Sequence, residues 1–356
     1  MQTKLLLNFG VGAIAAVLAI STALPLSAEV LRFSNVSSLN SAASDGGIQG
    51  LSTAAAPLSL AAGQNGLVPS AMLVITTDAK VTQPKYQSWM SSEISAAWAA
   101  GYRGQGATIT VIDDYSSRNF YSGNMGNGVQ TLRHGGWTRL EASMIAPSAK
   151  IASQDFNSGT KVALAAKGLN VLNLSYGMYA SSNYQLGQIG WSAQETSIID
   201  YARNGKAVVS KAAGNDAVAV GAANSAQNID FLDSALIGTQ SAIFVGALSK
   251  NGTTASPASL ASYSNFAGSN VSVQSKFLVV GVEGSKTGLY GTSFAAPVIA
   301  GYAAVVGSKF TKATPTQITN QLLRTARKDT ILGYDVTKHG QGEASIARAL
   351  APVSIN

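Results

Sequence analysis

Nucleophilic acyl chemistry needs a hydroxyl, a base and a carboxylate. This 356-residue chain offers one of each at widely separated positions. Ser293 stands among small residues in "GLYGTSFAAPVIAGYAAVVG", at the mouth of a long apolar run. A serine hydroxyl is a weak nucleophile until a base takes its proton. The chain has only two histidines, His134 and His339. His134, in "RHGG", opens a helix-like run (Trp137, Leu140, Met144) that stops before Pro147. An imidazole at a helix start is held firmly and can still face a cleft. Upstream, "TITVIDD" ends a buried strand in two aspartates, Asp113 and Asp114. Successive strand residues point to opposite faces, so only one of the two can orient a given imidazole and stabilise its charged form. Asn215 closes "VVSKAAGN", where a side-chain amide can donate to a developing oxyanion. Taken singly, each residue also has a plain structural reading: a helix cap, a turn amide, a strand-end carboxylate. His339, in "TKHGQGEASIARAL", reads as a surface or turn histidine.

The elements around these residues alternate. "ATITVID", "AKIASQDF", "NVLNLSYG", "AVVSKAAGN" and "SAIFVGALS" read as strands, rich in Val, Ile and Leu as burial on both faces demands. A short helix (Ile94, Ala97, Trp98) closed by Gly101 precedes the first of them. "TKVALAAKG" reads as helical, as does "ETSIIDYARNGK" with Ile198, Tyr201 and Ala202 on one face. Behind Ser293 an apolar helix runs to about Phe310, and Pro297 sits early in it, where a missing N–H costs little. This rhythm predicts an α/β fold of three layers, a mostly parallel sheet with helices on both faces. In such sheets functional groups gather at the carboxyl ends of the strands, which is where "VID", "LNLSYG" and "AAGN" end.

Composition narrows the class. Hydrophobic residues make up 46% and charged residues 12%, which excludes a disordered or coiled-coil chain. The net charge of +7 is scattered, so no nucleic-acid-binding arm is expected. With no cysteine there are no disulfides, no thiolate catalysis and no Cys-ligated zinc. Residues 1–28 read as a signal peptide: Lys4, an apolar core, and a small residue, Ala28, at the cleavage position. An uncleaved anchor is the competing reading. Residues 29–84 form a low-complexity leader, short prosegment or linker with no sustained helix period or alternation, and residues 85–356 form the main domain. The expected location is therefore outside the cytoplasm, periplasmic or extracellular, with no stable membrane association once the signal is removed. Ser293 lies in Gly-Thr-Ser-Phe-Ala, not the Gly-x-Ser-x-Gly of a lipase-type hydrolase. The glycines of "GYRGQG" precede their strand, which disfavours a dinucleotide site.

In chain order the motifs run "VIDD", "HGG…IAP.AKI", "VLNLSYG", "VVSKAAGND", "YSNFAG" and "GTSFAAPVIAG". From about Trp98 to Leu350 the sequence resembles the subtilisin-like serine peptidases (subtilases). The resemblance implies the subtilisin-like fold and hydrolysis of peptide bonds in protein or peptide substrates. It implies a triad of Asp113, His134 and Ser293, with Asn215 in the oxyanion hole. It also implies two backbone edges for substrate, Ser175, Tyr176 and Gly177 on one side and Ala212, Ala213 and Gly214 on the other. No cofactor is needed for that chemistry, no metal ligand is assigned, and a structural calcium is left open without a motif to support it. A monomer is expected. The sequence departs from the family pattern where Asp114 and Tyr115 follow the first aspartate, where "HGGW" replaces "HGTH", and in the short 115–133 loop. The alternative reading is a subtilase-fold protein that binds peptides without cleaving them.

Overall fold

The structure is a computed structural model that describes residues 31–33 and 85–355. Its strands are β1 (Leu31–Phe33), β2 (Ala107–Asp113), β3 (Tyr121–Gly123), β4 (Gln130–Leu132), β5 (Lys150–Asp155), β6 (Leu169–Leu174), β7 (Gly177–Ser181), β8 (Val208–Ala212), β9 (Asn228–Asp230), β10 (Ala242–Leu248) and β11 (Phe277–Gly281). The helices are α1 (Glu93–Ala99), α2 (His134–Ile145), α3 (Ala193–Arg203), α4 (Phe231–Leu236), α5 (Val271–Gln274), α6 (Gly284–Thr287), α7 (Ala296–Lys309), α8 (Pro315–Arg324), α9 (Val336–His339) and α10 (Ile346–Leu350).

Six strands form one sheet in the order β11-β10-β8-β6-β2-β5, and every pairing in it is parallel. Neighbouring residues on a strand go to opposite faces. Val171, Val208 and Val245 join one core with Trp137 and Ile145 of α2 and Ile299 of α7. Leu172, Val209 and Phe244 join another with Ile198 and Ala202 of α3 and Leu232 of α4. Two-sided burial explains why the strands read as unbroken apolar runs. From β2 the chain steps to β5 on one side, then returns to β6 on the other and continues outward. The direction of winding reverses at β2, and the crevice at such a point is where ligands bind in open α/β sheets.

Helix α7 is buried from Ala296 to Ser308. Its small residues allow close approach: a Cβ on Gly301 would stand 2.4 Å from Ile145 Cγ2, and one on Gly307 would stand 2.5 Å from Leu169 Cδ2. Two smaller antiparallel units complete the fold, the β3–β4 hairpin and a sheet of order β1-β7-β9.

Some expectations need correction. Residues 160–168, read as helical, form no helix. Asn170 takes the Ala165 N–H on Oδ1 (2.8 Å) and donates to the Ala165 carbonyl (3.0 Å), while the Val162 N–H goes to Ser197 Oγ (3.0 Å). Side chains thus satisfy backbone groups of this segment without helical bonds. His339 is not on the surface: it is 3% exposed, stacks on Tyr334, and accepts the Asp335 N–H on Nδ1 (3.0 Å). Within the leader, Leu31–Phe33 pairs as a strand although the segment shows no alternation. Residues 1–28, read as a signal peptide, and the rest of residues 29–84 lie outside the described residues.

Candidate active site

Asp113 is the last residue of β2, fully buried between β5 and β6. Its Oδ1 lies 2.6 Å from His134 Nδ1 and also accepts the Asp114 N–H. Its Oδ2 accepts from Thr138 Oγ1 at 2.7 Å. Asp114 faces elsewhere: its Oδ1 accepts the N–H groups of Ser116 and Ser117, closing the turn after the strand. The Asp114 carbonyl takes the Gly135 N–H at 3.0 Å, so the start of α2 is tied to the end of β2. Gly135 has to be small there, because a Cβ would stand 2.9 Å from that carbonyl and 2.8 Å from the Tyr115 ring.

His134 is the first residue of α2 and has no solvent exposure. Its ring lies between Tyr121, edge-on at 6.1 Å, and Phe294 at 5.6 Å. Nε2 is buried and makes no hydrogen bond among the described residues. The preceding Arg133 donates to the Ser117 carbonyl (2.7 Å) and stacks its guanidinium over Phe120.

Ser293 sits in a single 3-10 turn, Thr292–Phe294, entered through Gly291 at φ +121 and continuing into α7. Only glycine adopts that dihedral without strain. Ser293 Oγ donates to the Ser175 carbonyl at 3.2 Å, while Ser175 Oγ donates to the Ser293 carbonyl at 2.9 Å. The Ser293 hydroxyl is therefore turned toward Ser175, and no hydrogen bond joins it to His134. Phe294, the residue after Ser293, packs on the imidazole.

Asn215 Oδ1 accepts both the Thr292 N–H (2.8 Å) and Thr292 Oγ1 (3.0 Å). Thr292 Oγ1 in turn accepts the Gly214 N–H (3.1 Å). The oxygen end of the amide is thus committed to Thr292, and Nδ2 is the end turned away from it. Asn215 and Ser293 are bridged by one residue, although 77 positions separate Asn215 from Thr292.

Four supporting residues escaped the sequence reading. Thr138, one turn after His134, fixes Asp113; the i, i+4 spacing on α2 was the available signal. Asn265, in "YSNFAG", ties down the 213–218 segment. It accepts the N–H groups of Asp216 (2.9 Å) and Val218 (3.2 Å) and donates to the Ala213 carbonyl (2.8 Å). Lys211 is buried beside Asp230 and Asp233, each at 2.9 Å. Burial pulls the Lys211 pKa down, but the two carboxylates outweigh it and hold it above the usual lysine value. Asp230 Oδ1 accepts the Met178 N–H (2.9 Å), which anchors the start of β7. Ser175 and Tyr176 are fully or almost fully buried, and burial drives the Tyr176 hydroxyl well above the usual tyrosine range. The described residues contain no cluster of three or more His, Asp or Glu able to hold a metal, and no helix long and apolar enough to cross a membrane.

The family model for peptidase S8, the subtilase family, matches residues 120–344. The chain belongs to the subtilase family. Among solved structures it is similar to MycP1 of the ESX-1 type VII secretion system, with 19% identity over 77% of this chain and 88% of that one, at a TM-score of 0.51. It is also similar to a lanthipeptide protease, with 18% identity over 72% of this chain and 91% of that one (TM-score 0.48). A protease from Pseudoalteromonas arctica shows 20% identity over 75% of this chain and 96% of that one (TM-score 0.45). At such identities the likeness to MycP1 shows a shared fold. No curated protein matches the chain.

Proposed function

We propose that the protein is an exported serine endopeptidase, acting in the periplasm or outside the cell as a monomer and without a cofactor. The observation that carries this reading is the buried Asp113–His134 contact of 2.6 Å beside the Ser293 turn. Asp113 holds the proton on Nδ1, so Nε2 is left as the basic nitrogen. Ser293 Oγ turns from Ser175 to Nε2, gives up its proton, and attacks the scissile carbonyl. The imidazolium then passes that proton to the leaving amine, and water repeats the sequence on the acyl-enzyme.

The Ser293 N–H and Asn215 Nδ2 are the donors for the oxyanion, in a setting where water is excluded and such donors count most. Substrate lies extended, its backbone paired with the Ser175–Gly177 edge on one side and Ala212–Gly214 on the other. Gly214 suits that role because its φ of +105 turns the chain sharply and because a Cβ there would stand 2.3 Å from Asn265 Nδ2.

The test is hydrolysis of fluorescein-labelled casein by purified protein lacking the signal segment, beside its Ser293→Ala variant. Turnover by the parent and none by the variant is the expected result. A parent that binds casein without cleaving it would establish the non-hydrolytic reading instead.

A further inference from the structure

β6 and β8 run side by side as far as the pair Leu174–Lys211, and there they part. The residues that follow on each strand are the two proposed substrate edges, Ser175–Gly177 and Ala212–Gly214, so the cleft opens at this fork. Ala212 pairs with Val245 of β10, on the far side from β6. The β6–β8 ladder therefore stops where substrate would begin, and side chains have to set the width of the gap. The nucleophile turn supplies one tie: Ser175 Oγ donates to the Ser293 carbonyl, and the Gly214 N–H donates to Thr292 Oγ1. A second tie runs through the interior. Lys211 is 1% exposed, and its ammonium donates to the Ala212 carbonyl at 2.6 Å and to Asp230 Oδ2 at 2.9 Å. It also pairs with Asp233 Oδ1 at 2.9 Å. The other oxygen of Asp230 accepts the N–H of Met178, the residue after Gly177, at 2.9 Å. Gly177 lies directly against that carboxylate, since a Cβ there would stand 2.6 Å from Asp230 Oδ2.

We propose that Lys211 and Asp230 are positioning residues for substrate: together they fix the separation of the Ser175–Gly177 and Ala212–Gly214 edges at the fork of β6 and β8. The proposal rests on the reading of those segments as substrate edges and adds the device that spaces them. An apolar side chain would fill a buried strand position without the desolvation cost of a charge. What the ammonium adds is direction, because its donors meet oxygens of β8, β9 and α4 at set distances. The two carboxylates have different parts. Asp230 carries the tie on to Met178, whereas the Asp233 side chain reaches Lys211 and, among the described residues, neither edge. Burial pushes the Asp233 carboxyl well above the usual aspartate range. Asp233 therefore stays neutral while Lys211 is paired with Asp230, and is available to balance the ammonium when Asp230 is neutralised.

The test compares Asp230→Asn with Asp233→Asn. Each takes one carboxylate from the same ammonium and leaves the other. Asp230→Asn alone cuts the tie between the edges, because the new amide keeps the Met178 N–H on its oxygen and turns an NH2 toward Lys211. Binding of fluorescein-labelled casein to full-length Ser293→Ala protein is read by fluorescence anisotropy. Affinity is expected to fall about tenfold in Asp230→Asn and to stay within about twofold of the parent in Asp233→Asn, as loss of one hydrogen bond to a charged group allows. With Ser293 intact, Asp230→Asn should raise KM for casein by about the same factor while kcat stays nearly constant. The double variant Lys211→Met/Asp230→Asn removes the tie and leaves no unpaired charge, so it should bind as weakly as Asp230→Asn and decides the matter if that variant fails to fold. Equal losses in the two single variants overturn the proposal. So does undiminished binding by Asp230→Asn or the double variant, or a Ser293→Ala protein that binds no casein. Labelling of the Ser293 protein by a serine-directed fluorophosphonate is scored separately. Binding that depends on Asp230 in a protein that takes no label keeps the spacing device and removes the peptidase, whereas a labelled protein indifferent to Asp230 keeps the peptidase and removes the device.

Discussion

Asp113 and Thr138 share a hydrogen bond of 2.7 Å on the carboxylate oxygen that His134 does not use. The carboxylate is fully buried, so both its oxygens need partners, and Thr138 supplies the one that keeps Oδ1 aimed at the imidazole.

Thr138→Val keeps the volume and removes the donor. Oδ2 then loses its partner at a cost of about 1–3 kcal/mol in stability. Because Thr138 acts through Asp113 and not on substrate, kcat should fall with KM nearly constant, and Thr138→Ser should restore most of the loss. Thermal melting and peptide kinetics on the two variants check this. A drop in KM-dependent binding with unchanged kcat would contradict a positioning role.

Asn215→Ala removes the proposed oxyanion donor and also the acceptor for Thr292. Turnover should fall by ~10² to 10³, a magnitude measured on a relative of this fold. Asn215→Asp should be similarly impaired, since a carboxylate keeps the Thr292 contact and repels the oxyanion. Single-turnover kinetics distinguish this from loss of substrate binding.

Asn265 touches no substrate in this account but makes three bonds to the segment ending one substrate edge. Asn265→Ala should lower Tm and raise KM more than it lowers kcat, because the 212–214 edge loses its support. Hydrogen exchange at residues 213–218 should rise in the variant.

Glu141 on α2 gives the pH dependence. It is buried, its Oε2 has no partner among the described residues, and burial raises its pKa well above the usual glutamate value. The unfolded chain ionises in the ordinary range while the folded state keeps the acid neutral. The raised folded pKa therefore costs nothing below the unfolded pKa, and the cost grows as pH rises toward the folded one. Glu141→Gln should match the parent in Tm near pH ~4 and exceed it near pH ~8, as read by melting curves across that range.

Buried charge is used differently at Lys211, where removing one partner is the damaging change. Lys211→Met leaves Asp230 and Asp233 facing each other without a cation. A loss of about 3–5 kcal/mol is expected, or failure to fold, with chemical denaturation as the measurement.

The parts legible in sequence were those written in local pattern. Continuous burial on both faces made β2, β6, β8 and β10 readable as unbroken apolar runs, and the run behind Ser293 announced α7. The adjacency of Asp113 and Asp114 could not be resolved, because the choice depends on which face of β2 meets α2. The structure turns Asp113 to His134 and spends Asp114 on its own turn. Residues 160–168 misled because Asn170 and Ser197 bond their backbone, which propensity does not register. Asn265 and Lys211 stayed hidden for a similar reason: the groups each holds lie at a distance in the sequence.

The most direct measurement is labelling with a serine-directed fluorophosphonate, followed by mass mapping of the labelled peptide, on the parent, Ser293→Ala and His134→Ala. The account predicts one label per parent molecule, on Ser293, with none on Ser293→Ala and strongly slowed labelling of His134→Ala. A folded parent that takes no label, or takes it equally fast without His134, would contradict the proposal that the imidazole activates Ser293.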